Sequence, residues 1–175
     1  MILLVIILSA LFIYFIFFVS QFINIFLFGN APFISTDRET IRRIISEVQI
    51  KDKSLIYELG CGRARFLRLV EKVSPSAELT GAENLFSLYL INKIRLELQA
   101  SKIKLLKQDF FEINLASADL IYCYLNNATM EKLGEKFKQE CRVGTQIVSR
   151  SFKIPQLEPF KLLKIKNKNI YFYKI

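Results

Sequence analysis

The first 28 residues carry no charged side chain, only Ile, Leu, Phe and Val with a few small or polar positions among them. A helix built from this run is apolar on all sides and has no face to turn toward water. Crossing a bilayer core takes about 20 such residues, so residues 1–28 read as a membrane anchor. No basic segment precedes the run, it is too long for a signal core, and no A-x-A-like site follows, which argues against a cleaved signal peptide. The pattern then changes abruptly. Residues 29–37 form a short link and helix cap, Gly-Asn-Ala-Pro-Phe-Ile-Ser-Thr-Asp. Ser35, Thr36 or Asp37 can cap a helix from about Arg38 to Val48, with Ile41, Ile44, Ile45 and Val48 on its buried face.

From Leu55 onward short apolar runs alternate with stretches of helical period. The expected strands are roughly 55–58, 78–82, 103–106, 119–125 and 145–150, and the expected helices 64–73, 85–100 and 128–140. Such alternation predicts a parallel sheet with helices on both faces. The tail differs: Phe160–Lys166 and Asn169–Ile175 read as two strands joined at Asn167-Lys168, an antiparallel hairpin at the sheet edge. The fold class is therefore α/β, a Rossmann-like parallel sheet with a C-terminal hairpin over 38–175, behind one transmembrane helix.

The chemistry concentrates in Leu55–Phe66, Leu-Ile-Tyr-Glu-Leu-Gly-Cys-Gly-Arg-Ala-Arg-Phe. A strand ends at Glu58, Gly60 and Gly62 make a tight turn around Cys61, and Phe66, Leu67, Leu69, Val70 and Val73 recur at helical spacing. Strand, glycine turn and helix together open nucleotide-binding α/β domains. Glycines permit unusual backbone angles and let a ligand lie against the main chain, while the N–H groups of the first helical turn face it. A second acid follows in Gly81-Ala82-Glu83-Asn84, placed to take the two hydroxyls of a ribose. A third, in Gln108-Asp109-Phe110, follows the next strand, where an adenine ring is expected. A dinucleotide fold would want G-x-G-x-x-G, and position 65 is Arg65 instead of the third glycine.

Charge and composition narrow the partners. All charged residues lie beyond position 36, and they sum to +9. Arg38, Arg42 and Arg43 just after the apolar run place the domain on the cytoplasmic side of the membrane, single-pass. Basic residues near a surface attract anionic lipid at about 1 kcal/mol each, so the bilayer is an expected partner. Nucleic acid is the other standard partner of a basic domain, but Lys and Arg are scattered and no aromatic-rich RNA-binding module is present. Cys61, Cys123 and Cys141 have neither paired nor metal-type spacing, and the chain has no histidine. A metal site, a disulfide framework and a His-based triad are all disfavoured; Cys61 is most simply a small residue tolerated in the turn.

The acid-glycine motif, ribose acid and third acid resemble those of the class I S-adenosylmethionine-dependent methyltransferases. With the apolar run, Ala31-Pro32-Phe33-Ile34-Ser35-Thr36, Tyr57–Gly62, Gly81-Ala82-Glu83 and Val148–Pro155, the chain resembles the membrane-anchored lysine N-methyltransferases that act on the ATP synthase c subunit, together with their prokaryotic relatives. The family usually has an acid and a glycine at the positions of Arg63 and Ala64, and a proline at Asp37. The resemblance implies S-adenosylmethionine as cofactor, with S-adenosylhomocysteine as product. Its binding residues would be Thr36, Glu58, Gly60, Cys61, Gly62, Glu83, Asn84, Asp109 and Phe110. It also implies a membrane-protein substrate such as the c subunit.

The sulfonium carries an activated methyl group, so the protein chiefly binds, aligns and desolvates the reactants. A lysine acceptor must first lose its proton, which a desolvating pocket favours. That pocket is expected at the carboxyl end of the fourth strand, around Tyr122, Tyr124, Asn126 and Asn127, with Tyr124 and Asn126 as catalytic candidates and aromatic rings attracting the lysine cation. Asp119 reads as structural. A small-molecule or lipid/quinone methyltransferase, and a non-catalytic assembly factor on the same fold, are the alternatives.

Overall fold

A computed structural model describes residues 2–28 and 35–175. Residues 29–34 of the expected link lie outside the described residues. Two compact units divide the chain, one up to Ile34 and one from Ser35. Thr36 and Asp37 therefore belong to the second unit.

The first unit is one helix, α1 (Ile2–Phe28). At 1.5 Å per residue it is about 40 Å long, and it is long and apolar enough to cross a membrane. Its side chains from Ile2 to Ile16 are all exposed, as a helix with no polar face and no protein partner in its own unit must leave them.

The second unit begins with α2 (Arg38–Ile45), capped by Asp37, whose Oδ1 accepts from the Thr40 N–H at 3.1 Å and whose Oδ2 accepts from the Thr40 hydroxyl at 2.7 Å. The remaining elements follow in order: β1 (Leu55–Leu59), α3 (Arg65–Val73), β2 (Glu78–Ala82), α4 (Phe86–Leu98), β3 (Lys104–Leu106), β4 (Leu120–Cys123), α5 (Asn127–Glu140), β5 (Gln146–Arg150), β6 (Lys161–Ile165) and β7 (Lys168–Lys174). The sheet order is β3-β2-β1-β4-β5-β7-β6. The first five strands are parallel, and β7 joins antiparallel to both β5 and β6.

All four residues of β4 are buried, as expected of a strand covered on both faces. The core joins β1, α3, β4, β5 and β7 through residues such as Ile56, Phe66, Leu67, Tyr122, Val148 and Phe172. On α3, Phe66, Leu67 and Val70 are wholly buried, while Val73, the last residue, is exposed.

Three details differ from the sequence reading. Helix α2 stops at Ile45, where Ser46 caps it, short of the expected Val48. A single turn of 3-10 helix, Phe110–Glu112, follows β3, because the Asp109 carboxylate accepts from the Phe111 N–H and closes a local turn. The hairpin turns at Lys166-Asn167, one residue earlier than Asn167-Lys168. Ile165 pairs with Lys168, and the two residues between have φ of 49° and 61°. Two central residues with positive φ form the two-residue turn whose twist matches a hairpin, and Asn suits its second position. The hairpin is also tied to α2: Lys166 bridges Asp37 and Glu39, and Lys161 pairs with Glu47.

Candidate functional site

The site is built where β1 turns into α3. Gly60 (φ 67°) and Gly62 (φ 52°) occupy left-handed backbone, which costs a residue with a Cβ roughly 1–2 kcal/mol. At Gly60 a Cβ would also lie 2.8 Å from the Leu125 side chain. Ala64 (φ 47°) shares this conformation at the start of α3 without a side-chain cap. Cys61 N–H donates to the Ala82 carbonyl at 2.8 Å, stitching the turn to β2. The buried Cys61 sulfur fills the space above Gly81, where a Cβ would approach it to 2.9 Å. Burial pushes the Cys61 thiol well above its ordinary range, so it stays protonated and packs.

Two carboxylates hold this turn from beneath. Glu83, just past β2, is buried; one oxygen accepts from Gly62 N–H and the other from Leu85 N–H, both at 2.9 Å. Glu58, at the fourth position of β1, is buried and accepts from the Leu67 N–H of α3 at 3.3 Å. Burial, reinforced by the charge of Glu83, pushes Glu58 up to about 8, and burial raises Glu83 as well. A neutral Glu58 at pH 7 retains a proton to donate.

Toward the β3 edge, Glu83 N–H donates to the Leu106 carbonyl at 3.0 Å. Asn84 is exposed there. Asp109 caps the 3-10 turn, and Phe110 and Phe111 lie with ring centres 4.9 Å apart.

Toward β4 the arrangement departs from the expected pocket. Tyr122 lies in the core, not on a channel wall: its ring stacks on Phe66 at 4.3 Å and its hydroxyl bonds Thr36 Oγ1 at 2.7 Å. It faces inward because it neighbours Glu58 in register and shares the α3 side of the sheet. Thr36 is thereby fixed to the sheet. Tyr124 is half-buried, and one face is covered by the Arg150 guanidinium, 4.7 Å from the ring centre, which leaves that face unavailable to a lysine cation. Asn126 caps α5, its side-chain oxygen accepting from Thr129 N–H at 2.9 Å, and Asn127 is exposed at the first position of that helix. Asp119 accepts from Leu55 N–H at 2.8 Å and pairs with Arg142, a structural role.

Arg150 itself escaped the sequence reading of the site. It closes β5 as a solvated strand end would, and only the structure reveals that it is buried. Its Nε and Nη1 and the neighbouring Ser151 hydroxyl find no hydrogen-bond partner among the described residues.

Every candidate residue thus lies at the carboxyl ends of the parallel strands, or, for Thr36, is bonded to one of them, where open α/β sheets take their ligands. A carboxylate has room for about four hydrogen bonds. Glu83 can therefore accept ribose hydroxyls while still holding Gly62 and Leu85, and the donor set fits an adenosine-bearing cofactor. The site offers positioned acceptors, backbone donors and buried acids, and no activated nucleophile.

Comparisons with known proteins agree. The ANTKMT methyltransferase domain matches residues 58–161, well over half the chain. A protein-lysine N-methyltransferase of Saccharolobus islandicus (strain REY15A) is 24% identical over 159 residues, covering 83% of this chain and 94% of the relative. Among solved structures, an RNA methyltransferase from Salinibacter ruber in complex with S-adenosyl-L-homocysteine superposes with a TM-score of 0.76 at 19% identity, over 81% of this chain and 94% of that one. A methyltransferase from Pyrococcus furiosus gives 0.64 at 15% identity, over 90% and 95%. The solved structures establish the class I methyltransferase fold. The family match starts at Glu58 and takes in the glycine turn, Glu83 and Asp109: the chain belongs to the ANTKMT methyltransferase domain family and is an S-adenosylmethionine-dependent methyltransferase.

Proposed function

We propose that this enzyme methylates the side-chain amine of a lysine in a protein held at the membrane, the c subunit of ATP synthase being the first substrate to try. One observation carries the membrane half of this reading. A 27-residue helix, apolar throughout and long enough to cross a bilayer, precedes the methyltransferase unit in the same chain. The lysine half is supported by the protein-lysine N-methyltransferase similar to this chain. In this reading residues 1–28 anchor the protein, 29–37 form link and cap, 38–175 are the catalytic unit, and the basic residues after the span keep that unit in the cytoplasm.

The cofactor supplies a methyl group already activated on sulfur. Glu83 would hold its ribose, with the Gly60–Gly62 backbone against it, Asn84, Asp109 and Phe110 toward the adenine, and Thr36 and Glu58 toward the amino-acid arm. The half-buried Tyr124 and Asn126 form the mouth through which a lysine enters. Desolvation there lowers the lysine pKa, and its proton leaves to water. Membranes incubated with the enzyme and methyl-labelled S-adenosylmethionine should carry label in protein, as methyl-lysine on mass spectrometry. Label confined to the organic-extractable fraction would instead identify a lipid or quinone acceptor, and no label with intact cofactor binding would leave an assembly role.

A further inference from the structure

Arg150 has more binding capacity than the fold uses. The side chain is more than nine-tenths buried, and Tyr124 covers one face of its guanidinium. Nη2 forms an ion pair with Asp37 Oδ2 at 3.8 Å, too long to be a hydrogen bond as well. Nε and Nη1 have no acceptor among the described residues, nor has the adjacent Ser151 hydroxyl. A guanidinium cannot shed its proton to escape burial. Buried donors left unmatched on a charged group are destabilising until an acceptor arrives. The Nε and Nη of Arg150 form the fork that matches the two oxygens of a carboxylate.

The position identifies which carboxylate. Glu58, Tyr122 and Val148 are neighbours in register across β1, β4 and β5. Two residues on come Gly60 and Tyr124, just past the ends of β1 and β4, and Arg150, the last residue of β5, whose guanidinium covers the Tyr124 ring. Glu83 lies on the β2 side of Gly60 and Arg150 on the β5 side. A ligand with its ribose at Glu83 and its remaining arm across the glycine turn points that arm at Arg150. We propose that Arg150, with the Ser151 hydroxyl beside it, binds the α-carboxylate of the amino-acid arm of S-adenosylmethionine. The proposal rests on the cofactor placement given above.

The test compares two ligands on the full-length protein in detergent. S-adenosylhomocysteine carries the amino-acid arm, and 5′-methylthioadenosine has the same nucleoside and a thioether without it. By calorimetry, R150Q should bind S-adenosylhomocysteine at least ~10-fold more weakly, the size expected for a lost charge-assisted pair, and 5′-methylthioadenosine as wild type does. R150K, which retains the cation and loses the fork, should fall between, and it carries the same comparison if R150Q does not fold. Equal losses for both ligands, or no loss for either, would overturn the assignment while the cofactor reading stands. If wild type binds neither ligand, the cofactor reading fails and takes this proposal with it.

Discussion

Single residues decide how the site responds to pH. Glu58 ionises near 8 in the folded protein against an ordinary 4.5, because burial disfavours its charged form. Below 4.5 both folded and unfolded chains hold the proton, and the stability is present in full. As pH rises toward 8 only the unfolded chain releases it, so the fold should lose stability steadily across that window and level off above it. Denaturation at a series of pH values should show this slope in the wild type, and Glu58→Gln, a neutral amide of the same shape, should flatten it. Glu83 acts differently, as the acceptor for Gly62 and Leu85 N–H. Replacing it with Ala should weaken S-adenosylhomocysteine binding by about 1.5–3 kcal/mol, the worth of hydrogen bonds to a charged group. Unchanged affinity in a folded variant would refute the ribose assignment. Both acids were legible in the sequence from their spacing around the glycines. Arg150 and the inward turn of Tyr122 were not: a charged residue ending a strand and a tyrosine within one look alike whether solvated or buried, and only tertiary packing separates them.

Secondary-structure elements meet through matched sizes. The turn after β1 sits on β2 with Cys61 pressed onto Gly81, and Leu67 of α3 would stand 3.1 Å from a Cβ there. Gly81→Ala should therefore cost about 1–3 kcal/mol from overpacking. Cys61→Ala makes room, so the double variant should recover part of that loss, a coupling of order 1 kcal/mol in a thermal-melt cycle. Additive effects would mean that the sulfur does not fill this space. The strands and helices themselves were readable because their apolar periods are strong and the central strand β4 is buried on both faces. Their ends were less so. The hairpin turn moved by one residue because the pairing of Ile165 with Lys168 fixes it, and the 3-10 turn at Phe110–Glu112 depends on one side-chain bond from Asp109; neither leaves a periodic trace.

At the scale of the whole molecule, the unit from Ser35 contains its own core and sheet. Residues 35–175 should therefore fold without α1 and, in salt high enough to screen the basic surface, remain in the supernatant after membranes are sedimented. The full chain should stay in the pellet through alkaline carbonate; its release would remove the basis for a membrane substrate. The sheet order adds a constraint of timing. In β5-β7-β6 the strand latest in the sequence fills an interior place, between two strands already made. As the chain emerges from a ribosome, β5 must wait with an unpaired margin, because β6 alone cannot close it. Any shortening that removes residues 168–175 takes away both ladders at once, leaving β5 a bare edge and β6 without a neighbour. In a methyltransferase of this design the sheet is closed only once β7 has followed β6 off the ribosome, long after α1, which precedes them both, has been made.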